Sequence, residues 1–314
     1  MVSLGVAFAK RGYVVASISY RLMNILDLII SSSTLNGVAR ALCDGKAAIR
    51  YFRKSVVEGN EYNIDPNQIY FGGNSAGAII AIHAALMKKE EVEDPELIIA
   101  MENNGGFEGN RGNPGFSSDV RGAISLAGGI ANLDFINPSD FNSLLITCHG
   151  DLDNTVVYGC GEPLSGLVPV ELYGGRAILE HSSLIGFENH HHLLFEGSDN
   201  TPWEWGGTIE DQMISFVSEN LFNNLDCANS IGVSDLGECE SVFIHQNPIN
   251  NEFSVSGLNN YKSLTIKTLC GKIVYHKEVF SKNNNIDFLA KGLYIVELLK
   301  DDKEGVITKK IIKL

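Results

Sequence analysis

The stretch that decides the fold is Gly73-Asn74-Ser75-Ala76-Gly77, a G-x-S-x-G sequence. A β-branched and aromatic run over residues 68–71 precedes it and predicts a buried strand, and an apolar run over residues 78–86 predicts a helix. Strand, sharp turn and helix are the context of a nucleophile elbow, where the serine hydroxyl is exposed at a strained corner. Gly73 and Gly77 leave room for that corner. A glycine-rich turn without chemistry is the alternative interpretation.

Composition and charge limit the classes of protein to which the chain can belong. Its 314 residues are 44% hydrophobic and 20% charged, as in a globular protein of one or two domains. The net charge of −14 argues against nucleic acid as a partner. No run predicts a membrane span, and the first residues do not form a signal peptide. We find no metal-ligand spacing and no phosphate loop, so we expect neither metal nor cofactor.

Strands and helices alternate over the first two thirds of the chain. Continuous apolar runs predict buried strands, and amphipathic runs predict helices. The predicted strands cover residues 13–20, 68–71, 122–127, 144–148 and 192–195, and the predicted helices cover residues 3–11, 35–56, 78–86, 172–186 and 208–222. This alternation predicts the α/β class, with a mostly parallel sheet flanked by helices.

The pattern changes near residue 241. Short alternating runs separated by Asn and Gly turns predict a small all-β antiparallel sandwich. We therefore expect a first domain over residues 1–222, a linker over 223–240 and a second domain over 241–314. The charge is divided in the same way, since residues 241–314 hold 11 Lys and 7 acidic residues. Cys227 and Cys239 could pair with each other or remain free thiols.

Residues 1–222 resemble the α/β-hydrolase carboxylesterases of the esterase/lipase superfamily. The motifs that carry the resemblance are Arg11-Gly12-Tyr13-Val14-Val15, Tyr20-Arg21-Leu22, Asp65-Pro66, Gly72-Gly73-Asn74-Ser75-Ala76-Gly77, and His149-Gly150 with Asp153 and Val156. The resemblance implies that Ser75 is the nucleophile and that the backbone N–H of Ala76 is an oxyanion donor. It also implies that Asp153 orients the catalytic base. Asp151 is the rival for that role.

The base itself departs from the family pattern. The family carries Phe-Glu-Gly-x-x-His after its last strand, and the matching segment here is Phe195-Glu196-Gly197-Ser198-Asp199-Asn200. Asn200 stands at the expected His position, and a carboxamide cannot take the serine proton near neutral pH. Asp199 is a remote alternative base. We interpret His190, His191 and His192 as an exposed polar cluster before the strand, toward the opposite sheet edge, and not as the base.

The start of the chain departs from the family as well. The family has a His-Gly-Gly loop that donates a second oxyanion N–H, and no such segment precedes Val6. The resemblance therefore implies an N-terminally truncated hydrolase in which the first strands are missing. One missing strand would lie between the predicted strand 13–20 and the elbow strand.

The last 75 or so residues resemble the type A C-terminal sorting domain of the type IX secretion system. The motifs are Asn247-Pro248, Gly271-Lys272-Ile273-Val274, Leu289, Gly292-Leu293-Tyr294-Ile295-Val296 and Lys309-Lys310-Ile311-Ile312-Lys313. The resemblance implies the type IX secretion machinery as a partner and a secreted or cell-surface location. A sandwich that packs on the first domain or binds carbohydrate is the alternative.

Together these resemblances predict a secreted serine carboxylic-ester hydrolase that forms an acyl-enzyme through Ser75. The substrate would be a small acyl ester or an acylated polysaccharide. Asn200 and the missing oxyanion loop predict that this chain is impaired as a catalyst, and a non-catalytic ligand-binding relative is the alternative function. We interpret Trp203 and Trp205 as anchors of their loop in the core, with an aromatic wall for a sugar or acyl group as the alternative.

Overall fold

The structure is a computed structural model. It describes residues 2–137, 143–225, 243–245, 249, 252–256, 261–268, 272–278, 283–300 and 306–313. These residues fall into two compact units, the first with its described elements mainly between Ala16 and Asn224 and the second mainly between Phe243 and Lys313. The predicted linker after residue 225, Asn247-Pro248, Gly271, Cys227 and Cys239 lie outside the described residues.

The first unit contains a four-stranded parallel sheet. Its strands, in spatial order, are β1 (Tyr70–Asn74), β2 (Gly122–Leu126), β3 (Leu144–Gly150) and β6 (His190–Phe195). All seven residues of β3 are buried, as expected for a parallel strand with a neighbour on each side. A separate hairpin pairs β4 (Cys160–Gly161) with β5 (Leu172–Tyr173). The carboxyl ends of the sheet strands lie at one edge, and the candidate site residues follow those ends.

Helices flank this sheet, and the predicted α/β class is confirmed. They are α2 (Ser31–Val57), α3 (Ala76–Leu86), α4 (Pro95–Asn103), α5 (Gly175–Ile185) and α6 (Thr208–Asn223). The helix α1 (Val2–Ala9) belongs, apart from Val2, to the second unit. Short 3₁₀ turns cover Ile25–Ile29, Lys89–Glu91, Leu133–Phe135 and Pro202–Trp205. No helix among the described residues is long and apolar enough to cross a membrane.

The predicted strand over residues 13–20 is wrong. These residues form no strand, and the apolar side chains of Val14 and Val15 are 54% and 41% exposed. A β-branched run forms a strand only where a neighbouring strand pairs with its backbone. In the described part of the chain, β1 is the edge of the sheet and no strand pairs with its outer side.

The second unit is all-β and antiparallel, as predicted. One sheet contains β9 (Tyr261–Thr268), β10 (Ile273–Glu278), β12 (Gly292–Lys300) and β13 (Val306–Lys313), and the other contains β7 (Phe243–His245), β8 (Glu252–Ser256) and β11 (Asn283–Asn285). Side chains of both sheets meet in one core that includes Phe253, Val255, Leu264, Ile266 and Val296. Two sheets that share a core in this way form a β-sandwich.

Candidate active site

Ser75 lies at a strained corner between β1 and α3. Its backbone has φ 52° and ψ −118°, a region that a residue with a side chain seldom occupies. Its N–H donates to the carbonyl of Leu126 at 2.8 Å, which ties the corner to the end of β2. Ser75 is half-buried. The strand, turn and helix that the sequence predicts are all present around it.

The two glycines of the motif have different roles. A Cβ on Gly73 would overlap the carbonyl group of Gly77, so the corner closes only because residue 73 has no side chain. A Cβ on Gly77 would meet no atom. Steric need therefore applies to Gly73 and not to Gly77, in contrast to the expectation that both leave room for the turn.

Ala76 is the first residue of α3 and is exposed. The first N–H groups of a helix have no partner within the helix, and the helix dipole adds partial positive charge at that end. The Ala76 N–H is therefore placed to donate to an oxygen that gains negative charge.

Asp153 follows β3 and is buried, with all of its carboxylate contacts made inside the protein. Its Oδ1 accepts from the backbone N–H of Thr155 at 2.8 Å and of Val156 at 2.9 Å. Its Oδ2 lies 2.7 Å from Asn200 Nδ2 and 3.2 Å from His149 Nε2. Burial raises the pKa of Asp153, but hydrogen bonds from His149, Asn200 and Val156 lower it by more, so the pKa lies below its ordinary value.

Asn200 contacts the Asp153 carboxylate from a loop. It follows β6, as Asp153 follows β3, and its amide donates to Oδ2 at 2.7 Å. An imidazole at this position would donate a ring N–H to the same oxygen and present its other nitrogen as a base. The carboxamide keeps the hydrogen bond and has no basic nitrogen.

The two other acidic candidates bind loop backbone. Asp151 accepts from the N–H of Gly197 at 2.6 Å. Asp199 accepts from the N–H of Asn200 at 2.7 Å and from that of Asn154 at 3.4 Å. Both carboxylates therefore hold the loop after β6 against the loop after β3.

A pair of hydrogen bonds joins the Ser75 turn to the loop that carries Asn200. Trp203 donates from Nε1 to Asn74 Oδ1 at 3.1 Å, and Asn74 donates from Nδ2 to Glu204 Oε1 at 2.6 Å. Trp203 is 1% exposed and packs on Phe195. The interpretation of Trp203 as a core anchor is therefore right. For Trp205 it is wrong, because that side chain is 91% exposed.

The three consecutive histidines lie within β6 and are not an exposed cluster. His190 is buried and hydrogen-bonded to Thr147 and Ser182, and His192 contacts Thr147 and Tyr158. Burial lowers the pKa of His190 to about 3 and that of His192 to about 4. The expectation of exposure is wrong because the strand begins two residues earlier than predicted. The register does place the histidines in the first part of β6, away from its carboxyl end.

The described residues contain no group of three or more His, Cys, Asp or Glu side chains that could hold a metal ion. Cys43, Cys148 and Cys160 are free thiols. The residues whose placement bears on the predicted site are Ser75, Ala76, Asp153, Asn200 and His149. Sequence reasoning quoted His149 within a motif and gave it no role.

Comparison with known family models finds two separate matches along the chain. Residues 1–146 match the sequence model of the BD-FAE family, and residues 244–314 match that of a secretion system C-terminal sorting domain. The chain joins an esterase-like region to a sorting domain. The sorting domain indicates secretion or a cell-surface location. The BD-FAE match includes Ser75 and ends before Asp153 and Asn200. No curated protein matches the chain.

Several solved structures are similar to parts of the chain. A truncated carbohydrate esterase from gut microbiota is 18% identical, with 58% of this chain and 68% of that chain covered and a TM-score of 0.41. A butyrate-bound thermophilic esterase from Thermogutta terrifontis is also 18% identical, with coverage of 63% and 69% and a TM-score of 0.40. PorZ of the Porphyromonas gingivalis type-IX secretion system is 17% identical, with coverage of 26% and 13% and a TM-score of 0.22.

Proposed function

We propose that the first unit is a serine carboxylic-ester hydrolase with an incomplete catalytic site, carried out of the cell by the type IX secretion machinery through the C-terminal unit. The observation that carries the proposal is the Asn200–Asp153 hydrogen bond of 2.7 Å. It supports the proposal because a residue that cannot act as a base makes the contact that we expect of a catalytic histidine. Ser75 at its strained turn and the Ala76 N–H at the start of α3 supply the other groups.

In this reaction, Ser75 Oγ attacks the carbonyl carbon of an ester, and the alcohol leaves with a proton as the acyl-enzyme forms. Water then attacks the acyl carbon, the bond to Oγ breaks, and the carboxylic acid is released. The Ala76 N–H donates to the carbonyl oxygen, which carries negative charge in each tetrahedral intermediate. In a complete site a neighbouring base takes the proton of Ser75 and later that of water.

Asn200 supplies no such base, so the Ser75 proton must pass to solvent. General-base catalysis contributes about 10²- to 10⁴-fold to a rate. We therefore propose that the chain hydrolyses activated esters slowly, because its site has a nucleophile and an acid and lacks the base. The substrate class is a small acyl ester or an acylated polysaccharide, and the exposed Trp205 beside Glu204 offers an aromatic face to a sugar ring.

The test is hydrolysis of p-nitrophenyl acetate by the full chain, by Asn200→His and by Asn200→His with Ser75→Ala. We expect Asn200→His to raise turnover by about 10²- to 10⁴-fold, and Ser75→Ala to abolish the gain. Asn154→His is the matched control, because Asn154 is an exposed neighbour whose side chain donates to Leu152 and not to Asp153. It should leave turnover unchanged.

Two other outcomes would contradict the proposal in different ways. Rapid Ser75-dependent turnover by the unchanged chain would show that another residue is the base. No turnover in Asn200→His, with ligand binding intact, would favour the alternative function. That alternative is a non-catalytic ligand-binding relative, and the Asn200 amide on Asp153 is compatible with it because the carboxylate has its partners without an imidazole at position 200.

A further inference from the structure

The Asp153 carboxylate has two distinct sides. Backbone N–H groups of its own turn bind Oδ1. Oδ2 is shared between Asn200 and His149, at 2.7 Å and 3.2 Å. His149 lies in β3, inside the sheet, whereas Asn200 lies in a loop. One oxygen is therefore held both by a side chain at the candidate site and by a side chain of the core.

The proton of His149 is fixed on Nε2. Its Nδ1 lies 3.2 Å from the backbone N–H of Gly175 and accepts that hydrogen bond. A neutral imidazole that accepts at Nδ1 carries its proton on Nε2. Nε2 then donates toward Val156 O at 2.9 Å and Asp153 Oδ2 at 3.2 Å. The backbone N–H of Gly175 therefore sets the tautomer of His149.

The imidazole is also fixed in orientation. His149 is 1% exposed, and the Tyr158 ring lies 5.4 Å from its ring. A Cβ on Gly175 would come within 3.1 Å of His149 Nδ1 and 2.9 Å of His192 Cε1. Gly175 therefore lies close against both rings because it has no side chain.

We propose that His149 is a positioning residue, which holds Asp153 ionised and directs its Oδ2 toward residue 200. The effect of His149 on catalysis rests on the proposed function. Its effect on Asp153 rests on the geometry alone. A buried carboxylate needs donors to offset its lost hydration. His149 gives the Asp153 carboxylate a donor from the core, which stabilises its negative charge. A lone pair of Oδ2 then remains directed toward residue 200.

Other titratable groups lie on the elements around this carboxylate. They are Asp151, Tyr158, Arg176, His192 and Asp199. The hydrogen bonds described for the Asp153 carboxylate involve none of them. His192 is the informative neighbour, because it is an imidazole in the same packed region that contacts Thr147 and Tyr158 and not Asp153.

The first measurement is the titration of the Asp153 carboxyl carbon by NMR in the full chain, with Asp153→Asn to assign the signal. We expect His149→Leu to raise the Asp153 pKa by about one to two pH units, since a donor to the charged form is lost. His149→Gln keeps an N–H donor and should restore most of the original pKa. His192→Gln is the control and should leave it unchanged.

Should His149→Leu fail to fold, Gly175→Ala is the second variant, because its Cβ would press on His149 Nδ1 at 3.1 Å. The same Cβ would press on His192 Cε1 at 2.9 Å, and the His192→Gln control accounts for that contact. A rise in the Asp153 pKa in this variant supports the inference. If neither His149→Leu nor Gly175→Ala moves the titration beyond the His192→Gln control, the inference is overturned.

The second measurement uses Asn200→His as the background. We expect His149→Leu to lower kcat, to leave KM near its value, and to move the acid limb of the kcat/KM profile to higher pH. A residue that only supports packing would not move that limb. If the Asp153 titration shifts but Asn200→His shows no turnover, the hydrolase proposal is overturned. The effect of His149 on the Asp153 carboxylate is then still supported. Restored turnover with an unmoved titration would overturn the role of His149 alone.

Discussion

The turn that carries Ser75 and the loop that carries Asn200 lie at the ends of two different strands, and they differ in what their residues can do. At the turn, φ 52° at Ser75 and the bare Cα of Gly73 create the strained corner that we propose for a nucleophile. At the loop, the Asn200 amide donates to Asp153 Oδ2 at 2.7 Å and has no basic nitrogen. The geometry of a site can therefore be present while a functional group that its chemistry needs is absent.

The most direct test of this difference is to introduce a base with Asn200→His and then to remove its carboxylate partner with Asp153→Asn. In Asn200→His, we expect Asp153→Asn to remove most of the gained turnover, a loss of about 10²- to 10⁴-fold. In the unchanged chain, the same Asp153→Asn should have little effect on turnover because there is no imidazole to orient. Initial rates of p-nitrophenyl acetate hydrolysis measure both. Equal losses in the two backgrounds would contradict the assignment.

The second test concerns the contact between the turn and the loop. Trp203→Ala should lower the free energy of unfolding by about 3–5 kcal/mol, because a buried indole and its bond to Asn74 are lost. Trp205→Ala is the matched control and should change it by less than about 0.5 kcal/mol. Urea unfolding followed by circular dichroism gives both values. A large effect of Trp205→Ala would show that its exposed ring has a partner.

Acid should destabilise the protein through the histidines of β6. His190 and His192 have folded pKa values of about 3 and about 4, below the unfolded value. The unfolded chain therefore binds protons first as pH falls below about 6.5, and the loss is roughly 2 kcal/mol per histidine at about pH 5. Urea unfolding at about pH 7.5 and pH 5 measures it.

The control for this pH effect is the same pair of measurements on His190→Gln and His192→Gln. Each variant should lose its share of the dependence between the two pH values. Asp153 affects stability in a lower pH range than the histidines. Its pKa is depressed in the folded protein, so the stability that it contributes is lost only as pH falls below the carboxyl pKa of the unfolded chain. An unchanged slope in both variants would mean that these rings are protonated in the folded protein.

The smallest expected effect separates the two glycines of the turn. Gly73→Ala should cost about 1–3 kcal/mol, because its Cβ would overlap the Gly77 carbonyl. Gly77→Ala should be neutral or slightly stabilising, since Ala is favoured in a helix and its Cβ meets no atom. Thermal unfolding of the two variants compares them. Equal losses would show that the turn needs both glycines.

Local patterns predicted the turn well and the burial of single strands less well. The Ser75 corner depends on five consecutive residues and their immediate flanks, so its strand and helix could be predicted. Residues 13–20 have strand composition and form no strand, because pairing depends on a neighbour elsewhere in the chain. His190 and His192 looked polar and exposed, whereas Thr147, Ser182 and Tyr158 satisfy them in the interior.

For the candidate site, too, the sequence predicted the positions of residues after their strands and did not predict contacts between distant parts of the chain. The positions of Asp153 and Asn200 after their strands predict that the two lie at one edge, and the structure brings them into contact. The bond between Asn74 and Trp203 joins residues 129 positions apart, and no local signal indicates it. The His149 contact was equally hidden, because the direction of its imidazole depends on the backbone N–H of Gly175.

The two tryptophans, one 1% and the other 91% exposed, also give the protein a built-in optical probe. They are the only Trp residues in the sequence, and both lie in the turn after Asn200. Trp203 should emit at the short wavelengths of an apolar site and resist quenching by iodide, whereas Trp205 should emit at long wavelengths and be quenched. Fluorescence from this chain therefore reports on one turn beside the candidate site, and a ligand that reaches it should shift the Trp205 band.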